Sequence, residues 1–168
     1  GVKFTDLFRL AKDLGADCVQ IFAALSQSLS INGQLSVDIV ERRNSAEWHP
    51  GQLIPGARLL SEWYRDLVTA VDPTNPYSFS NFLKSKNRLI KFINSGVIFP
   101  TRRDYSDYFM HVSSELDVKF GCECVGLSWD GNDSLWEAMI LDEGVVKSEF
   151  YDGIVLGLGA EPNFPPGF

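Results

Sequence analysis

Residues 47–108 read EWHPGQLIPGARLLSEWYRDLVTAVDPTNPYSFSNFLKSKNRLIKFINSGVIFPTRRDYSDY, and the rest of the chain is arranged around them. The stretch opens on Trp48-His49-Pro50-Gly51 and continues through Leu53-Ile54-Pro55-Gly56-Ala57. Aromatics, prolines and paired charges crowd it, and no long hydrophobic period runs through it. Such a segment reads as an ordered loop with short helices, laid over a ligand or another layer. Asp72-Pro73-Thr74-Asn75-Pro76 reads as a turn into a helix, with Asn75 as its cap and Pro76 at the first helical position. Phe79, Phe82 and Leu83 then form an apolar face that reads as core. Thr101 caps a later helix, with Asp104 three residues on in a short form of the capping box. Tyr105, Tyr108, Phe109, Val112 and Leu116 recur there at helical spacing. Arg102 and Arg103 sit in its first turn, where the helix dipole disfavours cations. They are either plain surface charge or partners of an acid, a phosphate or a neighbouring carboxylate.

On the C-terminal side the period changes to two at Asp117. Val118 to Trp129, Leu135 to Leu141 and Val145 to Phe150 read as strands. Asp130-Gly131-Asn132-Asp133 and Asp142-Glu143-Gly144 are the turns between them. The expectation is a three-stranded antiparallel meander. Ile154 to Leu158 reads as a short buried strand, followed by Gly159-Ala160-Glu161-Pro162.

On the N-terminal side, Phe4, Leu7, Phe8, Leu10, Ala11 and Leu14 suggest a short amphipathic lead-in helix. Ala16 to Phe22 reads as a buried strand, Ala23 to Ile31 starts a helix, and Leu35 to Val40 is a second strand ending at Glu41. Strand, helix, strand and acid outline a dinucleotide-binding βαβ unit. In such a unit a tight turn lets backbone N–H groups meet a pyrophosphate, and the acid binds a ribose hydroxyl. Closely spaced glycines should make that turn. Here Gln20, Ile21, Phe22, Ala23, Ala24 and Leu25 stand instead, and their side chains would block a close approach. Glu41 is either a ribose ligand or a solvated charge at a strand end.

The chain has 168 residues, enough for one core and one domain. Its net charge of −7 gives nucleic-acid binding no electrostatic support. No apolar run is long enough to span a membrane, and no secretory signal is expected. Cys18, Cys122 and Cys124 are few and odd in number, which suits a reducing, cytoplasmic setting. Cys122 and Cys124 would share one face of a strand, and no nearby ligands complete a metal site.

In their order and spacing, WHPG, LIPGA, RDL, DPTNPYSF and FPTRRDYSDY resemble the flavin-dependent lysine and ornithine N-hydroxylases of siderophore biosynthesis. The likeness runs from about Asp17 to Pro165. It implies an α/β fold: an FAD/NAD(P)-binding Rossmann-like, three-layer domain with a helical insertion and the antiparallel meander, incomplete. Its portions would be the lead-in helix (1–15), the βαβ unit (16–46), the loop and helical region (47–116), and the meander with closing strand (117–168). The nicotinamide domain would be absent.

The resemblance implies that FAD and NADPH serve the N-hydroxylation of an amino acid, lysine or ornithine. FAD would be bound weakly in this chain, or not at all, given the replaced glycines. Trp48 and His49, with Glu41, would contact the cofactor. Leu59 to Leu67 is similar to a family pattern M-Q-x-S-F-L-K-D-L, in which the Lys holds the substrate carboxylate. Arg65 takes that place with altered reach and geometry. Leu60 takes the place of the Gln and cannot hydrogen-bond. No residue stands out as a general base. The 168 residues alone are expected not to hydroxylate lysine or ornithine at a useful rate. The alternative to an enzyme portion is a non-catalytic relic or binding module of the same fold.

Overall fold

The computed structural model describes residues 37–46, 48–67 and 75–156. The expected lead-in helix, the strand and turn through Gln20 to Leu25, and the chain beyond Leu156 lie outside the described residues.

The described residues form two sheets and a helical segment that joins the two strands of the first. Strand β1 (Ile39–Glu41) pairs in parallel with β2 (Val118–Phe120), Ile39 opposite Val118 and Glu41 opposite Phe120. The connection between these parallel strands holds a 3-10 turn (Pro50–Gln52) and helices α1 (Phe79–Ser85), α2 (Leu89–Asn94) and α3 (Arg102–Glu115). The chain then forms β3 (Glu123–Asp130), β4 (Leu135–Asp142) and β5 (Val145–Tyr151), an antiparallel meander in the order β3-β4-β5.

Helix α3 starts as its sequence dictates. Thr101 Oγ1 accepts the Asp104 N–H at 3.0 Å and donates to the Asp104 carboxylate at 2.6 Å. Burial pushes the Asp104 carboxyl up, but hydrogen bonds from Thr101 and Arg88 and the Arg88 charge prevail and hold it below the usual range. Tyr105, Tyr108, Phe109 and Val112 are buried along one face, against Phe79, Phe82 and Leu83 of α1. Rings meet edge-on or tilted, as quadrupoles favour: Phe79 and Tyr108 at 5.3 Å, Phe82 and Tyr108 at 5.6 Å.

Asn75 does not cap α1. Its Oδ1 accepts the Tyr77 N–H at 2.9 Å, an Asx turn that uses up the side-chain oxygen. The helix therefore begins later, where Ser78 Oγ accepts the Asn81 N–H at 3.2 Å, and Pro76 stays in the preceding turn.

The segment expected as one strand from Val118 to Trp129 is two strands in two sheets. Gly121 separates them with φ +74, a conformation glycine adopts without a Cβ penalty. Its N–H bonds to Arg43 C=O at 3.0 Å, and the Cys122 N–H bonds to Glu41 C=O at 3.2 Å. Cys122 and Cys124 do not share a face. Cys122 lies buried before β3 begins, Cys124 is exposed, and the register shifts between Cys124 and Gly126. Ile154 is not in a strand; it packs as irregular chain on a second core of Cys122, Ala138 and Ile140. Val40 of β1 joins that core and links the two sheets. At the rim Lys119 pairs with Asp38 at 3.5 Å, and the Tyr151 hydroxyl donates to Asp38 at 3.2 Å.

Candidate functional site

The chain leaving β1 lies against the start of α3. Trp48 is half-buried, its ring 4.9 Å from that of Tyr105. The Arg102 guanidinium sits over the indole at 5.7 Å, within cation–π range. The His49 ring meets Trp48 edge-on at 4.8 Å. His49 adopts φ 44, ψ 58, a left-handed conformation uncommon outside glycine, though histidine is among the residues enriched there. Pro50 fixes the next φ, and the Gln52 N–H closes the turn on His49 C=O at 2.9 Å. The turn thereby brings the Gln52 amide oxygen to Arg102, which donates to it.

A backbone clasp holds this corner. Residues 57–63 run antiparallel to residues 98–102: Leu59 N–H to Pro100 C=O at 2.9 Å, Trp63 N–H to Ile98 C=O at 3.0 Å, and Arg102 N–H to Ala57 C=O at 2.8 Å. Arg58 adds Nη1 to Phe99 C=O at 2.8 Å. LIPGA and FPTRR, far apart in sequence, are thus neighbours.

The clasp leads into a turn in which Arg65 N–H bonds to Glu62 C=O at 3.0 Å. Arg65 Nε also pairs with the Glu62 carboxylate at 2.9 Å. The next residues are fastened inward. Asp66 accepts the first N–H of α1, from Phe79, at 2.7 Å, and Leu67 N–H donates to the buried Tyr108 hydroxyl at 3.1 Å.

Of the residues singled out from sequence, Trp48 and His49 come together at the start of α3. Glu41 ends a parallel strand, where open α/β sheets bind ligands, and its Oε1 accepts the Arg43 N–H at 2.8 Å. Arg65 lies in the 62–65 turn with Glu62. Leu60 is 94% exposed. Arg102 does not find an acid among the described residues; its contacts are Gln52 and Trp48, while Arg88 takes Asp104 at 2.6 Å. Gln52, Glu62 and the contact role of Arg102 were missed in the sequence. The cation in the first turn of α3 was the only signal for Arg102.

Trp48, His49, Gln52 and Arg102 thus form one corner in which an indole, an imidazole, an amide and a guanidinium meet. That chemistry suits a flat heteroaromatic ligand with a polar or anionic edge. Among the described residues no cluster of His, Cys, Asp and Glu could hold a metal ion, and no helix is long and apolar enough to cross a membrane.

Residues 15–168 match the family described as L-lysine 6-monooxygenase/L-ornithine 5-monooxygenase. The L-ornithine N(5)-monooxygenase of Omphalotus olearius is 32% identical over 139 residues, covering 77% of this chain and 23% of that protein. The putrescine N-hydroxylase of Shewanella oneidensis is 31% identical over 146 residues, covering 85% of this chain and 29% of that protein. The structure of the Kutzneria sp. 744 ornithine N-hydroxylase with reduced FAD, NADP+ and L-ornithine superposes with a TM-score of 0.76 at 27% identity, covering 86% of this chain and 37% of that one. The chain thus spans 23% to 37% of the length of these relatives.

Proposed function

The chain belongs to the L-lysine 6-monooxygenase/L-ornithine 5-monooxygenase family, and on that premise we propose that it is the FAD-binding portion of an NADPH-dependent N-monooxygenase acting on the side-chain amine of lysine or ornithine. The observation that carries this reading is the clasp, which sets Trp48, His49, Gln52 and Arg102 at one corner and continues directly into the Arg65 turn.

The residues of this corner suit the cofactor by their chemistry, whereas the side chains at Gln20 to Leu25 stand where glycines would let its pyrophosphate approach. Trp48 offers an aromatic surface, His49 and Gln52 offer hydrogen-bonding groups, and Arg102 offers a fixed positive charge to a polar edge or a phosphate. Glu41 stands at the end of β1 for a ribose hydroxyl. When bound, FAD supplies the redox chemistry of oxygen activation. The work of the chain is binding and orientation. Arg65 holds the substrate carboxylate and so sets which nitrogen is presented. That nitrogen reacts as the neutral amine, and a free lysine amine has a pKa of about 10.4, so the site must favour loss of a proton.

A second reading is a non-catalytic binding module of the same fold. The side chains at Gln20 to Leu25 and the exposed Leu60 favour it. One experiment tests the cofactor assignment on which the first reading stands, and product, which these residues alone are not expected to give, would decide for it outright. The chain is mixed with FAD, freed of unbound cofactor by gel filtration, and assayed for visible flavin absorbance and for hydroxylamine formed from lysine or ornithine with NADPH and oxygen. Retained flavin that Trp48→Ala releases supports cofactor binding at this corner. Product above the free-flavin background decides for the enzyme. Loss of all flavin from the unaltered chain overturns the cofactor assignment.

A further inference from the structure

We infer that Glu62 is a specificity-determining residue that reads the α-ammonium of the substrate beside Arg65, so that the Glu62–Arg65 pair selects α-amino acids over diamines and over amino acids lacking the α-amine. This rests on the proposed role of Arg65.

The pair is placed by backbone. The Arg65 N–H bond to Glu62 C=O at 3.0 Å makes residues 62–65 a turn with both side chains on the same side. Arg65 Nε lies 2.9 Å from Glu62 Oε2. The backbone beneath is held by Asp66 on the Phe79 N–H and by Leu67 on the buried Tyr108 hydroxyl. The frame is fixed while the charges are accessible: the Arg65 side chain is 71% exposed and that of Glu62 28%. An exposed ion pair of this kind contributes little to stability, so a ligand can open it at low cost.

What the ligand gives back depends on its charges. A substrate carboxylate that takes the Arg65 fork leaves Glu62 without its cation. A diamine that takes Glu62 leaves Arg65 without its anion. An α-amino acid carries both charges on one carbon. Its carboxylate replaces Glu62 on Arg65 and its ammonium replaces Arg65 on Glu62, so one ion pair becomes two charge-assisted contacts. The selection comes from the penalty on the wrong ligands as much as from the gain on the right one.

The test is calorimetric titration of the 168-residue chain with L-ornithine, putrescine and 5-aminopentanoate, which is ornithine without its α-amine. The unaltered chain should bind L-ornithine about tenfold more tightly than either analogue, the factor expected of one charge-assisted hydrogen bond. Glu62→Gln should bring L-ornithine and 5-aminopentanoate to equal affinity without weakening 5-aminopentanoate. Arg65→Ala should weaken both together. If Arg65→Ala weakens binding but Glu62→Gln preserves the tenfold preference, the Glu62 role is wrong and the Arg65 role stands. If Arg65→Ala changes nothing, or the unaltered chain binds none of the three, the Arg65 reading fails and this inference with it. Unfolding curves of both variants should overlay that of the unaltered chain, because both side chains are exposed or half-buried at the surface.

Discussion

The hydroxyl of Tyr108 accepts the backbone N–H of Leu67 at 3.1 Å and donates to the carbonyl of Tyr77. One buried phenol thus ties together the chain on both sides of residues 68–74. Burial, reinforced by the nearby Asp66 charge, pushes this phenol far above the usual tyrosine range, so it stays protonated and able to donate.

Tyr108→Phe should therefore cost about 1–3 kcal/mol, because it strands a buried N–H and a carbonyl while leaving the ring packing intact. Urea unfolding measures this. An unchanged midpoint would mean that water replaces the hydroxyl.

Asp104 sets a pH dependence with a definite sign. Its folded pKa is held below the unfolded value of about 3.9. The stabilisation is present above the unfolded pKa and is lost as pH falls through the folded one. Asp104→Asn should flatten the stability profile below about pH 4 and leave the shape above it unchanged. Thr101→Ala should cost about 1 kcal/mol at neutral pH through loss of the cap. Melting curves across pH for both variants check the pair.

His49 separates backbone from side chain. Its left-handed φ of 44 penalises any residue with a Cβ. His49→Gly should be more stable than His49→Ala by about 1 kcal/mol, and both should lose the imidazole equally. Denaturant titration gives the first difference, and flavin retention shows whether the imidazole contributes to binding.

Gly121→Ala should destabilise by about 1–2 kcal/mol because of its positive φ. The added Cβ would also meet Asn44 Oδ1 at 3.3 Å. Loss of the β1–β2 pairing should appear first, as faster hydrogen exchange at the amides of residues 121 and 122.

Local chemistry was legible in the sequence where it was self-contained. The Thr101 cap, the Tyr105 to Val112 stripe and the hairpin turns each depend on residues a few places apart, and each formed as read. Asn75 misled because an Asx turn and a helix cap use the same side-chain oxygen. The alternation through Val118 and Trp129 concealed the break at Gly121, since a left-handed glycine leaves no gap in a period-two pattern. The 57–63 clasp was invisible because it is made by backbone groups, to which side-chain patterns are blind. Arg102 betrayed itself only as a cation in an unfavourable place; its partners, an indole and an amide, are neutral and distant in sequence.

The same clasp makes residues 57–63 a lever rather than a tether. One end bears on the Trp48 corner through Ala57 and Arg102, and the other runs into the turn that carries Glu62 and Arg65. A shift at the start of α3 must displace both ends in one stroke. On the roles proposed for these two ends, cofactor grip and substrate choice would be geared together: a backbone change that retunes one would drag the other with it, and only side chains standing clear of the clasp would be free to drift alone.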